Sequence, residues 1–322
     1  MDRLITALLL AVLLATCAGP APAPAERPVV TVSGVSAGGH MAHQLHIAYS
    51  DLFSGAGILA AGPFGCAQGD LATAMGRCMS SLQGELPVAE MAAEIRAASQ
   101  DGRLAPVENL ADDRVWLFRG TLDTVVAAGV TDAVSALYAE FIPAANLRYV
   151  NDLHAAHHFP VRGAGHACEE SQPPFLGDCD YDAAGELLRH LYPDLGGPGE
   201  AVAEHLVSAE LPGAEEAGLG PSVYLYVPGA CQDAPGACDL HLVLHGCAQS
   251  RQQLGLEFIQ SSGYLPWAEG NAMVLAFPQV VPSTVNPYAC WDWWGYTGPD
   301  YRWRDGAQMR VLADWVRDFT GR

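Results

Sequence analysis

The sequence contains no lysine: all 16 basic side chains are arginines, set against 36 acids for a formal net charge of −20. A surface with that balance repels a phosphate backbone, which argues against nucleic-acid binding. Charged residues are scarce at 16%, whereas half of the 322 residues are hydrophobic, so neither disorder nor a collagen-like or coiled-coil fibre fits. There is no C-x-x-C pair, and no metal or cofactor is expected. No apolar run after the first residues approaches the length of a membrane span, so the mature chain is expected to be soluble. No internal repeat is evident. The missing lysine, beside much alanine and glycine, reads as compositional bias and carries no functional message.

What is present begins with an export signal over residues 1–25. Met1-Asp2-Arg3 precedes the apolar run Leu4 to Ala15, and small and Pro-rich residues follow from Ala18 to Ala25. Cleavage between Ala18 and Ala25 is expected, leading to a secreted or periplasmic protein. Leu14-Ala15-Thr16-Cys17 also resembles a lipoprotein box, which leaves Cys17 as a possible lipid anchor. Setting Cys17 aside, eight cysteines remain, an even number in an exported chain, and disulfides are expected. His40, His43 and His46 recur every three residues of an expected helix. They lack a fourth ligand and an H-E-x-x-H pattern, so solvent-facing or packed histidines are expected there rather than a metal site.

Strands are predicted at Val29 to Ser33, Ala56 to Ala61, Val115 to Phe118, Leu147 to Val150, Val223 to Val227, Leu240 to Leu244 and Met273 to Phe277. Helical patterns lie at His40 to Tyr49, Val88 to Ala98, Asp132 to Phe141, Ala183 to Leu191 and Gly306 to Phe319. This alternation predicts one α/β domain over 26–322 with a mostly parallel central sheet. Residues 195–220, rich in Gly, Pro, Ala and Glu, read as a surface connection with one short helix.

Gly34-Val35-Ser36-Ala37-Gly38 has the G-x-S-x-G form of a nucleophile elbow, set between a strand and a helix as that turn requires. Serine is a weak nucleophile until a histidine takes its proton and a carboxylate orients that histidine. Asp123, just past a predicted strand, is preferred for the acid over Asp112, Asp113 and Asp132. His154, His157, His158 and His166 are all open as the base. His245-Gly246-Cys247 follows another strand and looks like an H-G oxyanion turn, whose backbone N–H would join that of Ala37. In an ordinary α/β hydrolase this turn precedes the serine. Here it follows, which circular permutation explains, with 195–220 bridging the usual chain ends.

Ser33-Gly34-Val35-Ser36-Ala37-Gly38-Gly39-His40-Met41-Ala42, Gly120-Thr121-Leu122-Asp123-Thr124-Val125-Val126, Asp180-Tyr181-Asp182-Ala183-Ala184-Gly185, Leu244-His245-Gly246-Cys247 and Cys290-Trp291-Asp292-Trp293-Trp294-Gly295-Tyr296 resemble the poly(3-hydroxybutyrate) depolymerases. Within them, the subgroup with a circularly permuted α/β-hydrolase domain is the match, from about Val29 to the C-terminus. The resemblance implies Ser36 as nucleophile, Asp123 as acid and His157 as base, the last through Ala155-Ala156-His157-His158-Phe159-Pro160. It implies oxyanion N–H groups on Ala37 and Cys247, and a substrate crevice lined by Asn286 and Trp291. Core packing is expected for some rings of Trp291 to Tyr296. By chain order and resemblance the cysteines pair as Cys66–Cys78, Cys168–Cys179, Cys231–Cys238 and Cys247–Cys290.

The leading expectation is an exported serine esterase acting on poly(3-hydroxybutyrate) or short 3-hydroxyalkanoate oligomers, with no separate polymer-binding domain. A feruloyl or acetyl carbohydrate esterase is the nearest alternative. An inactive binding protein on the same scaffold is the alternative from another class.

Overall fold

The computed structural model describes residues 27–80, 82 and 84–322, so the expected export signal and Cys17 lie outside the described residues. Eleven strands alternate with helices. In chain order they are β1 (Val30–Val35), α1 (Ala37–Ala48), β2 (Gly55–Leu59), α2 (Leu71–Arg77), α3 (Val88–Gln100), β3 (Arg114–Phe118), α4 (Ala128–Tyr138) and β4 (Leu147–Val150). Next come β5 (Phe159–Val161), β6 (His166–Ala167), β7 (Leu176–Asp178), α5 (Ala183–Leu191), β8 (Leu206–Glu210), β9 (Ser222–Tyr226) and β10 (Asp239–Leu244). The chain closes with α6 (Arg251–Leu254), α7 (Glu257–Ser261), α8 (Tyr264–Gly270), β11 (Met273–Phe277) and α9 (Ala307–Thr320).

Eight strands form the central sheet in the order β4-β3-β2-β1-β10-β11-β9-β8, and β9 runs against both of its neighbours. Counting the strands from β8 instead of β1 turns this into 1-2-4-3-5-6-7-8 with the second strand antiparallel, the ordinary α/β-hydrolase order. The permutation is therefore visible in the topology. The two ends of the domain also meet, since the Arg322 guanidinium donates to the Leu52 and Pro28 carbonyls.

β1 is buried on both faces, which explains a run in which polar residues need internal partners. Thr31 and Ser33 sit on one face. Their hydroxyls hydrogen-bond the two nitrogens of His241 on β10 at 2.6 and 2.7 Å, and also the hydroxyls of Tyr192 and Tyr264 at 2.7 Å. Burial keeps His241 neutral, its pKa pushed down to about 3.

Every residue of α1 is buried, as expected of a central helix covered all round. The three histidines at three-residue spacing are packed, not solvent-facing. His46 bonds the Tyr138 hydroxyl and the Asp113 carboxylate at 2.9 and 3.1 Å, and the His43 ring stacks on Tyr138.

Residues 195–220 depart from the expected surface connection with one short helix. They carry β8, the sheet's edge strand, between two 3-10 turns, and Leu211, Ala214, Ala217 and Leu219 enter the core. Strand β9 begins one residue earlier than predicted, and α4 begins four residues and ends three residues nearer the N-terminus than its pattern suggests.

Candidate active site

The elbow follows from close backbone packing at the end of β1. A Cβ on Gly34 would meet the Gly38 carbonyl oxygen at 2.2 Å, and one on Gly38 would meet the Leu244 carbonyl oxygen at 2.2 Å. Only glycine fits either place. Between them Ser36 takes φ 57° and ψ −120°, a strained conformation for an L-residue that lifts its side chain out of the turn.

Asp123 and His157 are brought to Ser36 by two loops that touch. The loop after β3 carries Asp123, and Gly120 in it lies so close to the Ala155 carbonyl oxygen that a Cβ would come within 1.9 Å. Thr121 and Leu122 donate their N–H groups to Leu153 and Ala155 at 2.9 and 3.0 Å. His157 follows in that second loop, just before β5. Ala156 donates to the Cys168 carbonyl, and the Cys168–Cys179 bond ties together a second, three-stranded sheet in the order β5-β7-β6.

His157 Nδ1 lies 2.8 Å from Asp123 Oδ2, and its Nε2 lies 2.9 Å from Ser36 Oγ. The other Asp123 oxygen accepts the N–H groups of Val125 and Val126 at 2.9 and 2.8 Å, so the carboxylate is locked in place with its side chain only 2% exposed. Ser171 Oγ donates to the His157 carbonyl at 2.7 Å. A serine hydroxyl so placed can pass its proton to a histidine whose other nitrogen is held by a carboxylate.

The remaining histidines of the cluster go elsewhere. His158 bonds the Cys168 carbonyl at 2.7 Å, and burial lowers its pKa. His154 meets Thr121 Oγ1, and His166 meets the Pro173 carbonyl. Of the competing acids, Asp113 pairs with His46 and Asp132 with Tyr149 and Arg119.

Strands β1 and β10 pair in parallel with Gly34 opposite Leu244, which puts the elbow and the His245-Gly246-Cys247 turn side by side. That turn is held from every direction. Gly246 N–H donates to Gln249 Oε1 at 2.7 Å, Ala248 N–H to the Tyr288 carbonyl at 2.6 Å, and Val280 N–H to His245 Nε2 at 3.2 Å. His245 is kept neutral by burial, its pKa pushed down to about 4. Cys247 is bonded to Cys290, and the other three cysteine pairs match the expected ones. Among the described residues the backbone N–H groups of Ala37 and Cys247 have no acceptor.

Two cavities meet at Ser36. The larger, about 400 Å³, is lined by Ala37, His40, Met75, Asn286, Trp293 and Trp294 among others. The smaller, about 280 Å³, includes His157, Phe175 and Gln249. Leu71, Met75, Val285, Tyr288 and Val125 are large apolar side chains that stand exposed at their walls.

Asn286 lines the larger cavity as expected, but Trp291 does not. It is fully buried against the His245 ring at 5.5 Å, next to the Cys247–Cys290 bond. Trp293 and Trp294, two and three residues on, form the wall instead. Asp292 shapes that loop: Oδ1 accepts from Trp294, Gly295 and Tyr296 N–H, and Oδ2 from Thr297 N–H and Oγ1–H. Nothing in the residue pattern alone distinguished Asp292 or Trp293. Met75 and Met79 come from a segment that carries no motif.

No family model matches the chain. It is 40% identical over 304 residues to a poly(3-hydroxybutyrate) depolymerase of Delftia acidovorans, matching 92% of this chain and 61% of that protein. The chain thus spans less than two thirds of that relative's length. It is 35% identical over 308 residues to a polyhydroxybutyrate depolymerase of Talaromyces funiculosus, matching 90% of this chain and 89% of that one. Its fold is similar to the crystal structure of a PHB depolymerase from Penicillium funiculosum, with a TM-score of 0.83 and 32% identity over 92% of this chain and 96% of that chain. A serine-to-alanine variant of a PHB depolymerase complexed with an R3HB trimer gives a TM-score of 0.84 at 32% identity, over 93% and 98% of the two chains. With a permuted α/β-hydrolase sheet, a serine elbow and this likeness along almost the whole described chain, the protein belongs to the poly(3-hydroxybutyrate) depolymerase family.

Proposed function

We propose that the chain hydrolyses ester bonds of poly(3-hydroxybutyrate) or of short 3-hydroxyalkanoate oligomers through an acyl-enzyme on Ser36. The observation that carries this reading is the hydrogen-bonded relay from Asp123 through His157 to Ser36, set where two largely apolar cavities join. Ser36 Oγ attacks the ester carbonyl as His157 Nε2 takes its proton, and Asp123 stabilises the imidazolium formed. The oxyanion receives the N–H groups of Ala37 and Cys247. His157 then gives its proton to the departing alkoxide, leaving a 3-hydroxybutyryl ester on Ser36. Water, deprotonated by the same histidine, releases the acid and restores the serine.

A polyester substrate suits the apolar walls and the exposed apolar side chains around them. A feruloyl or acetyl carbohydrate ester would bring many hydroxyl groups, which these walls are poorly equipped to pair. The inactive-binder reading leaves the assembled relay without a purpose. Export follows from residues 1–25 and fits the four disulfides. No helix of the described residues is long and apolar enough to cross a membrane. The mass of the mature N-terminus distinguishes cleavage between Ala18 and Ala25 from lipidation at Cys17.

The decisive experiment is turnover of a soluble 3-hydroxybutyrate trimer by the purified protein, with fluorophosphonate labelling of the nucleophile. Ser36→Ala and His157→Ala are expected to lose hydrolysis with little change in Tm, while His158→Ala keeps most of it. Labelling that persists in Ser36→Ala, or activity that survives His157→Ala but not His158→Ala, would refute the assignment.

A further inference from the structure

Helix α1 carries His40 one turn beyond Ser36, at the wall of the larger cavity. Its imidazole lies face to face on Trp293, with ring centroids 4.1 Å apart and planes inclined by 12°. His40 Nε2 accepts the Gly62 N–H at 3.2 Å. A ring nitrogen that accepts carries no hydrogen, so the proton of the neutral ring sits on Nδ1. The ring is neutral because burial, reinforced by the neighbouring His157, pushes its pKa down to about 3. Nδ1 has no partner among the described residues and, unlike both nitrogens of His43, is not sealed from solvent.

The chemistry of a polyester gives such a group a use. A 3-hydroxyalkanoate chain offers carbonyl and ester oxygens as acceptors and, apart from its terminal hydroxyl, no donor. A crevice that recognises it therefore needs donors. Asn286 spends its amide oxygen and one N–H of its NH2 group on the backbone of Cys290, at 3.0 and 2.8 Å, and the same NH2 group also hydrogen-bonds the Tyr296 side chain. A cationic donor would be costly in an apolar cavity and would oppose the positive charge that His157 acquires during acyl transfer. A neutral imidazole N–H avoids both costs.

We propose that His40 is a specificity-determining residue whose Nδ1–H donates to a carbonyl oxygen of the substrate unit in the larger cavity, the stack on Trp293 fixing the direction of that donor. This rests on the reading of Ser36 as the nucleophile of an oligoester hydrolase. It is tested by kcat/KM for the soluble 3-hydroxybutyrate trimer and for p-nitrophenyl acetate, whose acyl group carries no second carbonyl oxygen for His40 to hold. His40→Phe keeps a ring for the stack and removes the donor. The trimer-to-acetate ratio of kcat/KM is expected to fall about three- to tenfold, the range of an uncharged hydrogen bond. His40→Asn sets its Nδ2–H in place of Nδ1–H, and should hold that ratio within about threefold of wild type. A ratio unchanged in His40→Phe, or lost equally in both variants, overturns the proposal.

A second measurement does not depend on either variant folding. In Ser36→Ala, the nitrogen-15 resonance of His40 Nδ1 should report a protonated nitrogen and shift when trimer is added; an unprotonated or unresponsive Nδ1 overturns the proposal. A wild type that leaves the trimer uncut overturns the substrate reading and this proposal with it. A trimer cut with an unaltered ratio by His40→Phe overturns this proposal alone.

Discussion

Removing the bond between Cys247 and Cys290 tests stability and catalysis at one place. The two cysteines are separated by 43 residues, and the chain-entropy relation for a closed loop of that size gives about 4 kcal/mol of stabilisation. At about 2.1 cal/mol/K of unfolding entropy per residue, a chain of this length should lose about 6 °C in Tm. The catalytic effect is separate. Cys247 supplies one proposed oxyanion N–H, and its turn is otherwise held by Gln249, Tyr288 and Val280. Deleting such a donor costs about 100- to 1,000-fold in kcat. A donor loosened but still present should cost less. Cys247→Ser with Cys290→Ser is therefore expected to lower kcat by about tenfold or more at a temperature well below its own Tm. Thermal unfolding by circular dichroism and initial rates on p-nitrophenyl butyrate measure the two effects independently. A fall in Tm with kcat unchanged would show that the turn needs no tether. Loss of neither would refute both lines of reasoning.

Asp292→Asn replaces the oxygen facing Thr297 with an NH2 group, setting donor against donor in a buried site. A loss of about 1–3 kcal/mol is expected, with KM for the trimer raised because the loop carries Trp293 and Trp294; an unaltered KM would show that those rings are held by other contacts. Acid should destabilise the protein early. His40, His43, His241 and His245 are buried with pKa values of about 3, 3, 3 and 4, so the unfolded chain takes up protons below about pH 6.5 where the folded one does not. Stability is complete above that pH and falls toward the folded values, by about 1.4 kcal/mol per pH unit for each histidine. A Tm that stays level between pH 7 and pH 5 would contradict this.

The parts of the site legible in the sequence were those where one short segment carries the whole constraint. The elbow needs glycine on both sides of Ser36, and the clashes at Gly34 and Gly38 show why. The choice among four histidines was not available from local pattern, because it depends on how the loop before β5 packs on Gly120, a contact between distant segments. Resemblance pointed to His157, and the hydrogen bonds fall on the same residue. Trp291 lies in the core while Trp293 and Trp294 line the cavity, a division the sequence does not show because an aromatic run reads alike whether its rings face a crevice or the core. Which ring goes where depends on contacts outside that run, such as the bond from Cys290 to Cys247. Strand β8 was missed because Leu206–Glu210 is a largely exposed edge strand, whose Gly- and Pro-rich surroundings outweigh its five residues.

The seam between β1 and β10 also governs the order of assembly. Val30 pairs with Leu240, a contact across 210 residues, so the strand that presents the nucleophile is made first and completed near the end. Strands β1 to β4 can pair with one another while β10 is still unsynthesised, leaving one edge of β1 bare for that interval. Contacts of such long range form slowly, since the closure entropy of the intervening chain comes before any reward. An unpermuted sheet would have its oxyanion strand waiting when the nucleophile strand appeared. Here the nucleophile strand waits, and its bare edge is where a nascent chain is most open to pairing with another copy.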